Sequence, residues 1–302
     1  MRLLQRGFSI LEILVSLSIT LILGGAVFHL FQQNERIFRD ENLITEMQQG
    51  ARAAIAQAAG DIRKAGQGVP LYAASFNSGL SESTVAVLPG STSSRINFRA
   101  GISTADTLVV APSPSSLPIG RTVALTVGDA TGLYDAVGGG SPTGRFVFLW
   151  GPLDVIQTGW IRASIQSITP STRLVQVTAS ESSTGAPITF PSTPRIALEE
   201  VIALYFDKAN GTMKRTTATN MTDPLNPTWA PANELMTNVT QLQLDYFDQA
   251  GLSLNIDTLA ERARVAQVEI HLVVQTASPL SNQSRPSYAI SIRTAIRNVA
   301  IQ

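Results

Sequence analysis

From Phe8 to Phe31 the chain reads FSILEILVSLSITLILGGAVFHLF, an apolar run with one carboxylate, Glu12, and one histidine, His29. As a helix rising 1.5 Å per residue it covers roughly 36 Å, enough to cross a hydrocarbon core of about 30 Å. Arg2 and Arg6 precede it with no acid between them. That charge bias keeps the N-terminus on the cytoplasmic side and carries the rest of the chain across. No later stretch is apolar enough to span. The sequence therefore predicts one membrane helix bearing a large extracytoplasmic head. Within that helix Glu12 needs a reason: a carboxylate near the bilayer centre costs about 3 kcal/mol, less near the interface, and such residues serve function by default.

Composition narrows the chemistry of the head. The 302 residues carry 22 Lys+Arg against 22 Asp+Glu, so there is no basic surface to neutralise phosphates and no nucleic-acid partner is expected. Without cysteine there is no disulfide framework, thiolate nucleophile or Cys-ligated metal, and two histidines cannot build a three-histidine site. No cofactor or metal is expected. Charged residues are 15%, below the usual quarter, which leaves a polar but weakly charged surface. No Gly-x-Ser-x-Gly elbow, His-Glu-x-x-His pair or Walker loop occurs, so catalysis is not expected. His271 and Glu269 share the polar face of a strand, but no nucleophile can be assigned beside them. Asp245 and Asp248 lack the oxygen-rich spacing of a calcium loop. Trp150, Trp160 and Trp229 read as packing residues, and Gly138-Gly139-Gly140-Ser141-Pro142 as a flexible connection.

Two ordinary readings of the N-terminus fail on particular residues. A cleaved secretory signal could use Leu23-Gly24-Gly25-Ala26, but apolar character resumes at Val27 to Phe31. A plain anchor leaves Glu12 without purpose. Gly7-Phe8-Ser9-Ile10-Leu11-Glu12, behind a short basic leader and ahead of an apolar helix, resembles the type III signal of type IV prepilins. The resemblance implies that a membrane prepilin peptidase removes residues 1–7, cutting between Gly7 and Phe8, and that Phe8 is then N-methylated. It also implies that Glu12, the family's glutamate at the fifth mature position, is an assembly contact. The new amine of Phe8 is cationic, so Glu12 of one subunit can meet the amine of another. Removing one partner there leaves an uncompensated buried charge, which makes the pair a register device.

Beyond the membrane run a polar stretch, 32–42, leads into an apolar stripe at helical steps: Ile44, Met47, Ala51, Ile55, Ala58, Ile62 and Ala65. Polar residues fill the other face, and Gly66 to Pro70 supply the stop. Strands are predicted at Thr107 to Ala111, Thr122 to Val127, Arg145 to Trp150, Val155 to Ile165 and Leu174 to Thr178. Val201 to Phe206 and Thr212 to Thr217 flank Asn210-Gly211, a favoured hairpin turn. Alternating strands follow at Leu242 to Tyr246, Ala266 to Val274 and Tyr288 to Val299; in the last, Ile290, Ile292 and Ile296 point inward and Arg293 and Arg297 outward. The expected fold is α+β, a long pilin-like helix packed on an antiparallel head. Its segments are a leader (1–7), a membrane or filament-core helix (8–31), an amphipathic helix (32–66), a variable β-rich region (67–195) and a pilin-type antiparallel sheet (196–302).

The segments QQGARAAIAQAAGDIRKAG, ADTLVVA, EEVIALYFDKANGTMKR, ELMTNVTQLQLDYFDQAG and VAQVEIHLVVQT, with the terminal RTAIRNVAI, resemble PilW-type minor pilins. That implies a part in type IV pilus assembly and initiation, at the tip, with adhesion and twitching motility as the processes served. Implied partners are prepilin peptidase, other minor pilins and the major pilin, and an inner-membrane assembly platform. The implied location is a single-pass inner-membrane protein with its head outside, later moved to the pilus and cell surface. Absence of cysteine departs from pilins that tie a C-terminal loop by a disulfide. The alternatives are a J-kind type II secretion pseudopilin and a membrane-anchored, ligand-binding β-domain.

Overall fold

The computed structural model describes residues 9–68, 80–113, 115–139, 142–154, 156–223 and 225–296. Helix α1, Ile10–Arg63, is 54 residues long, about 81 Å at the α-helical rise. Its start is fixed by Ser9, whose hydroxyl accepts from the Leu11 amide. It unwinds just short of the expected Ala65: Ala65 and Gln67 donate to the carbonyls of Ile62 and Lys64 in tight turns. Gly66 then takes a left-handed conformation, φ 74°, that ends the helix without a Cβ penalty.

The head follows as β1 (Arg95–Ala111), β2 (Ser115–Leu117), β3 (Thr122–Val127), α2 (Thr131–Ala136), β4 (Phe146–Pro152), β5 (Thr158–Thr169), β6 (Leu174–Ser182) and β7 (Ile188–Phe190). It continues through β8 (Arg195–Asp207), β9 (Thr212–Asn220), β10 (Thr228–Trp229), β11 (Asn233–Met236), β12 (Val239–Phe247), β13 (Ser253–Leu254), α3 (Leu259–Arg264), β14 (Gln267–Gln275) and β15 (Ser287–Ala295). A nine-stranded antiparallel sheet runs β1-β3-β6-β5-β4-β8-β9-β10, with β11 also on β9. Because β1 pairs with β8 as well as with β3, the strands from β1 round to β8 close on themselves. A separate four-stranded sheet runs β13-β12-β14-β15. The expected division at 195/196 falls at the start of β8, yet β8 is hydrogen-bonded to β1 and β4, so strands from both sides of it share one sheet.

Closure explains the run FVFLW in β4. Val147 and Leu149 point into the ring with Leu125, Ile161, Val175, Ile196 and Phe190, while Phe148 points out and packs edge-on to Trp160 at 5.9 Å. Both faces are covered, and a strand covered on both faces reads as continuously apolar. The second core lies outside the ring, where α1 is buried between the two sheets. Met47, Ala51, Ile55, Ala58, Ile62 and Ala65 are buried there with Ile96, Phe98, Ile202, Leu204, Leu242, Leu244, Val268, Ile270, Leu272 and Val274. The alanines Ala51, Ala54, Ala58 and Ala59 let the helix sit close to the strands. An ion pair reinforces the contact: Asp61 is bound by Arg215 of β9 at 2.8 Å, while Lys64 in its own turn lies 3.4 Å away. Past the helix, Gly66 donates to the Arg99 carbonyl and Gly101 to Gln67. A Cβ at Gly101 would lie 2.9 Å from the Gln67 and Gly68 carbonyl oxygens, so only glycine permits this approach.

A buried charge cluster holds the junction. Glu199 of β8 accepts from Arg99 of β1 at 2.5 Å and from Arg162 of β5 at 2.7 Å. Arg99 also donates to the carbonyls of Glu82 and Val85, and Arg162 stacks over the Phe146 ring at 3.8 Å. Glu82 in turn pairs with Arg262 of α3. Burial pushes the Glu199 carboxyl upward, but Arg99 and Arg162 outweigh that effect and hold it below its ordinary value. A carboxyl lowered on folding contributes stability above its unfolded pKa, and that contribution disappears as pH falls through the folded value. The thermal midpoint of the protein should therefore fall on acidification below about pH 4.5. Glu199→Gln should cost about 3–5 kcal/mol at neutral pH and flatten that acid limb, because two buried arginines then lack a counter-charge. In denaturant titrations Ile62→Ala should cost about 2–5 kcal/mol, and Ala58→Leu about 1–3 kcal/mol through overpacking.

Candidate functional site

The N-terminal half of α1 stands clear of the head. Every described apolar side chain from Ile10 to Phe31 is exposed, among them Ile10 at 78%, Ile22 at 72% and Phe31 at 70%. Its apolar window is long enough to cross a membrane and none of it is buried. An apolar surface of this extent is far larger than a soluble monomer carries, so lipid or other helices must cover it. Two hydroxyls along it are satisfied locally: those of Ser18 and Thr20 donate at 2.8 Å to the carbonyls of Leu14 and Ser16, respectively. That is the arrangement a lipid-facing helix requires. Gly24 and Gly25 lie within the continuous helix, with open space where a Cβ would be.

Glu12 sits in the first turn, its amide bonded to the Ser9 carbonyl at 3.0 Å. The helix N-terminus there carries partial positive charge and favours a carboxylate. The side chain is exposed, and among the described residues no cation meets it. Gly7 and Phe8 lie outside the described residues. His29 is exposed near the outer end of the apolar run.

The head first touches α1 just beyond this run. Asp40 accepts the Ser281 amide at 3.1 and 3.0 Å and the Ser281 hydroxyl, which joins the β14–β15 loop to the helix. Those bonds, the hydroxyl's foremost, hold the Asp40 carboxyl below its ordinary value.

The chemical candidates in the head are dispersed. His271 Nε2 lies 3.1 Å from Asp245 and 3.8 Å from Glu269, on the open face of the four-stranded sheet. Glu269 is taken by Arg293 at 2.6 Å and Asp245 by Gln243, so the group is a cross-strand polar network. Asp248 binds the Leu252 amide and Arg264. Trp150 is half-buried, Trp160 buried, and Trp229 half-buried under Arg95. Among the described residues no cluster of three or more His, Cys, Asp or Glu is placed to hold a metal. The sequence did not reveal the Arg99–Glu199–Arg162 cluster, because its members lie far apart along the chain and nothing in their spacing signals burial.

Residues 2–28 match the family described as the prokaryotic N-terminal methylation motif. The chain carries a prokaryotic N-terminal methylation motif. Among solved structures it is similar to a type IV-like pilin from Thermus thermophilus at 10% identity, covering 52% of this chain and 87% of that one with a TM-score of 0.24. A superposition that loose carries no functional argument. No curated protein matches the sequence. From Ile10 on, the matched segment lies in the part of α1 that the head leaves bare. Where the head begins is set by Asp40: Asp40→Ala should speed amide exchange at Ser281 and neighbouring loop residues while leaving Met47 to Ile62 protected, as read by hydrogen exchange of the full chain in detergent.

Proposed function

We propose that this chain is a minor pilin of the PilW-like kind, a structural subunit that is inserted in the inner membrane, processed, and moved into a type IV pilus. The observation that carries the proposal is the coincidence of a methylation motif at residues 2–28 with a long, uncovered apolar helix on a folded head. Arg2 and Arg6 hold the leader inside. Prepilin peptidase cuts between Gly7 and Phe8, and Phe8 is N-methylated. Glu12 then meets the Phe8 amine of a neighbouring subunit, which lets a carboxylate enter an apolar helix bundle. Assembly with the inner-membrane platform, other minor pilins and the major pilin follows, with a place at the tip and then on the cell surface.

The test is genetic and direct. Replacing Gly7 by a bulkier residue should block processing and leave the protein in the membrane. Glu12→Ala should leave processing intact yet reduce surface piliation and twitching about tenfold or more, since a few kcal/mol of pairing is lost. Unchanged piliation in both strains would contradict the proposal. Lost secretion with normal piliation would point to a pseudopilus instead.

A further inference from the structure

The outer edge of β15 is the one long strand edge among the described residues with nothing paired to it. β15 pairs only with β14. At one end of the pair Thr276 donates to the Pro286 carbonyl, and at the other Ile296 donates to Ala266. Alternate residues of an antiparallel strand turn their backbone groups to opposite sides. Tyr288, Ile290, Ile292 and Thr294 therefore bond to β14, and Ser287, Ala289, Ser291, Arg293 and Ala295 direct theirs outward. Natural sheets protect such edges with lysine, proline or a bulge. None is present here: the outward residues are small except Arg293, and its guanidinium is drawn back over the sheet by Glu269 and the Phe247 ring.

A second feature points the same way. On the face toward α1, Ile270 and Leu272 of β14 are fully buried, whereas their partners Ile292 and Ile290 on β15 are only half-buried, as is Tyr288. The core is left open along this edge. A strand laid against β15 would satisfy the outward amides and carbonyls, and its alternate apolar side chains would cover Ile290 and Ile292.

We infer that β15 receives an extended segment of a different protein, apolar at alternate positions, by strand addition. A second copy of the chain does not fit by antiparallel pairing. β15 runs in the same sense as α1: its preceding loop is bound at Asp40, and its far end adjoins Ala266, close in sequence to Arg262, which pairs with Glu82 near the helix end. Antiparallel β15–β15 pairing would set two helices in opposite directions, which copies inserted in one membrane cannot adopt. The other free edges, β10, β11 and β13, are too short to mate with it. Exclusion of the second copy rests on the proposed common insertion; the edge itself does not.

The probe is a single photoreactive benzoylphenylalanine at Ala289 in the full-length protein in cells. It should yield an adduct with another protein, and peptide mapping should place the contact in an extended segment with alternating apolar residues. The same probe at Gln243, on the open face, should not. Ser291→Pro removes only an outward amide, so it should lower the adduct about tenfold with little change in thermal midpoint. Ala289→Pro, with the probe moved to Ser291, should do the same. No adduct, an adduct only with another copy, a contact mapped to a helix, or an adduct that survives both prolines would overturn the inference. So would collapse of the midpoint in both variants, since the outward amides would then serve the fold itself. The processing state of the same sample separates this failure from failure of the pilin reading.

Discussion

A carboxylate one turn into an apolar helix is costly unless a positive charge meets it, and none of the described residues brings one. Glu12 is exposed on a helix whose surface there is mostly Ile, Leu, Val and Phe with a few hydroxyls. On the proposed function its counter-charge is the amine that cleavage before Phe8 would expose on an adjoining chain, within the methylation motif matched at residues 2–28. Most of the design follows from keeping that segment free. The head grips α1 from about Asp40 to Gly66 and leaves everything before it bare.

The grip combines two kinds of interaction with different purposes. Close packing of Ala51, Ala58 and Ile62 between the sheets supplies affinity without direction. The directional elements are Asp61 with Arg215, the Gly66–Arg99 and Gly101–Gln67 backbone bonds, and the buried Glu199 between two arginines. Breaking a buried pair costs more than forming it gains, so such groups fix one arrangement rather than add much stability. The proposed move from membrane to filament would require the head to be held in one orientation on the helix, and these directional contacts fit that requirement.

Local pattern carried the long helix and the simple strands. The stripe Ile44, Met47, Ala51, Ile55, Ala58, Ile62 and Ala65 is the face that packs, with Ile44 at its margin. Thr122–Val127 and the hairpin around Asn210-Gly211 also lie where alternation and turn chemistry put them. β1 was legible only over its last residues, because Arg95, Asn97 and Arg99 disguise its first half as polar. The burial of Arg99 depends on a partner a hundred positions away, Glu199. The ring closure by β1 and β8 is likewise non-local, and α2 is too short for a periodic signal. At the N-terminus, Glu12 stood out because it breaks the local rule for a membrane helix. Arg293 was expected to point outward, and it does, though Glu269 and Phe247 hold it flat. Arg297 lies outside the described residues.

The central claim is that the charge meeting Glu12 is made by proteolysis. Mass spectrometry of the mature N-terminal peptide, from cells with an active prepilin peptidase, tests it most directly. The account predicts a chain that begins at Phe8 and carries one methyl group on its amine. Recovery of the protein with Met1 to Gly7 still attached would contradict it.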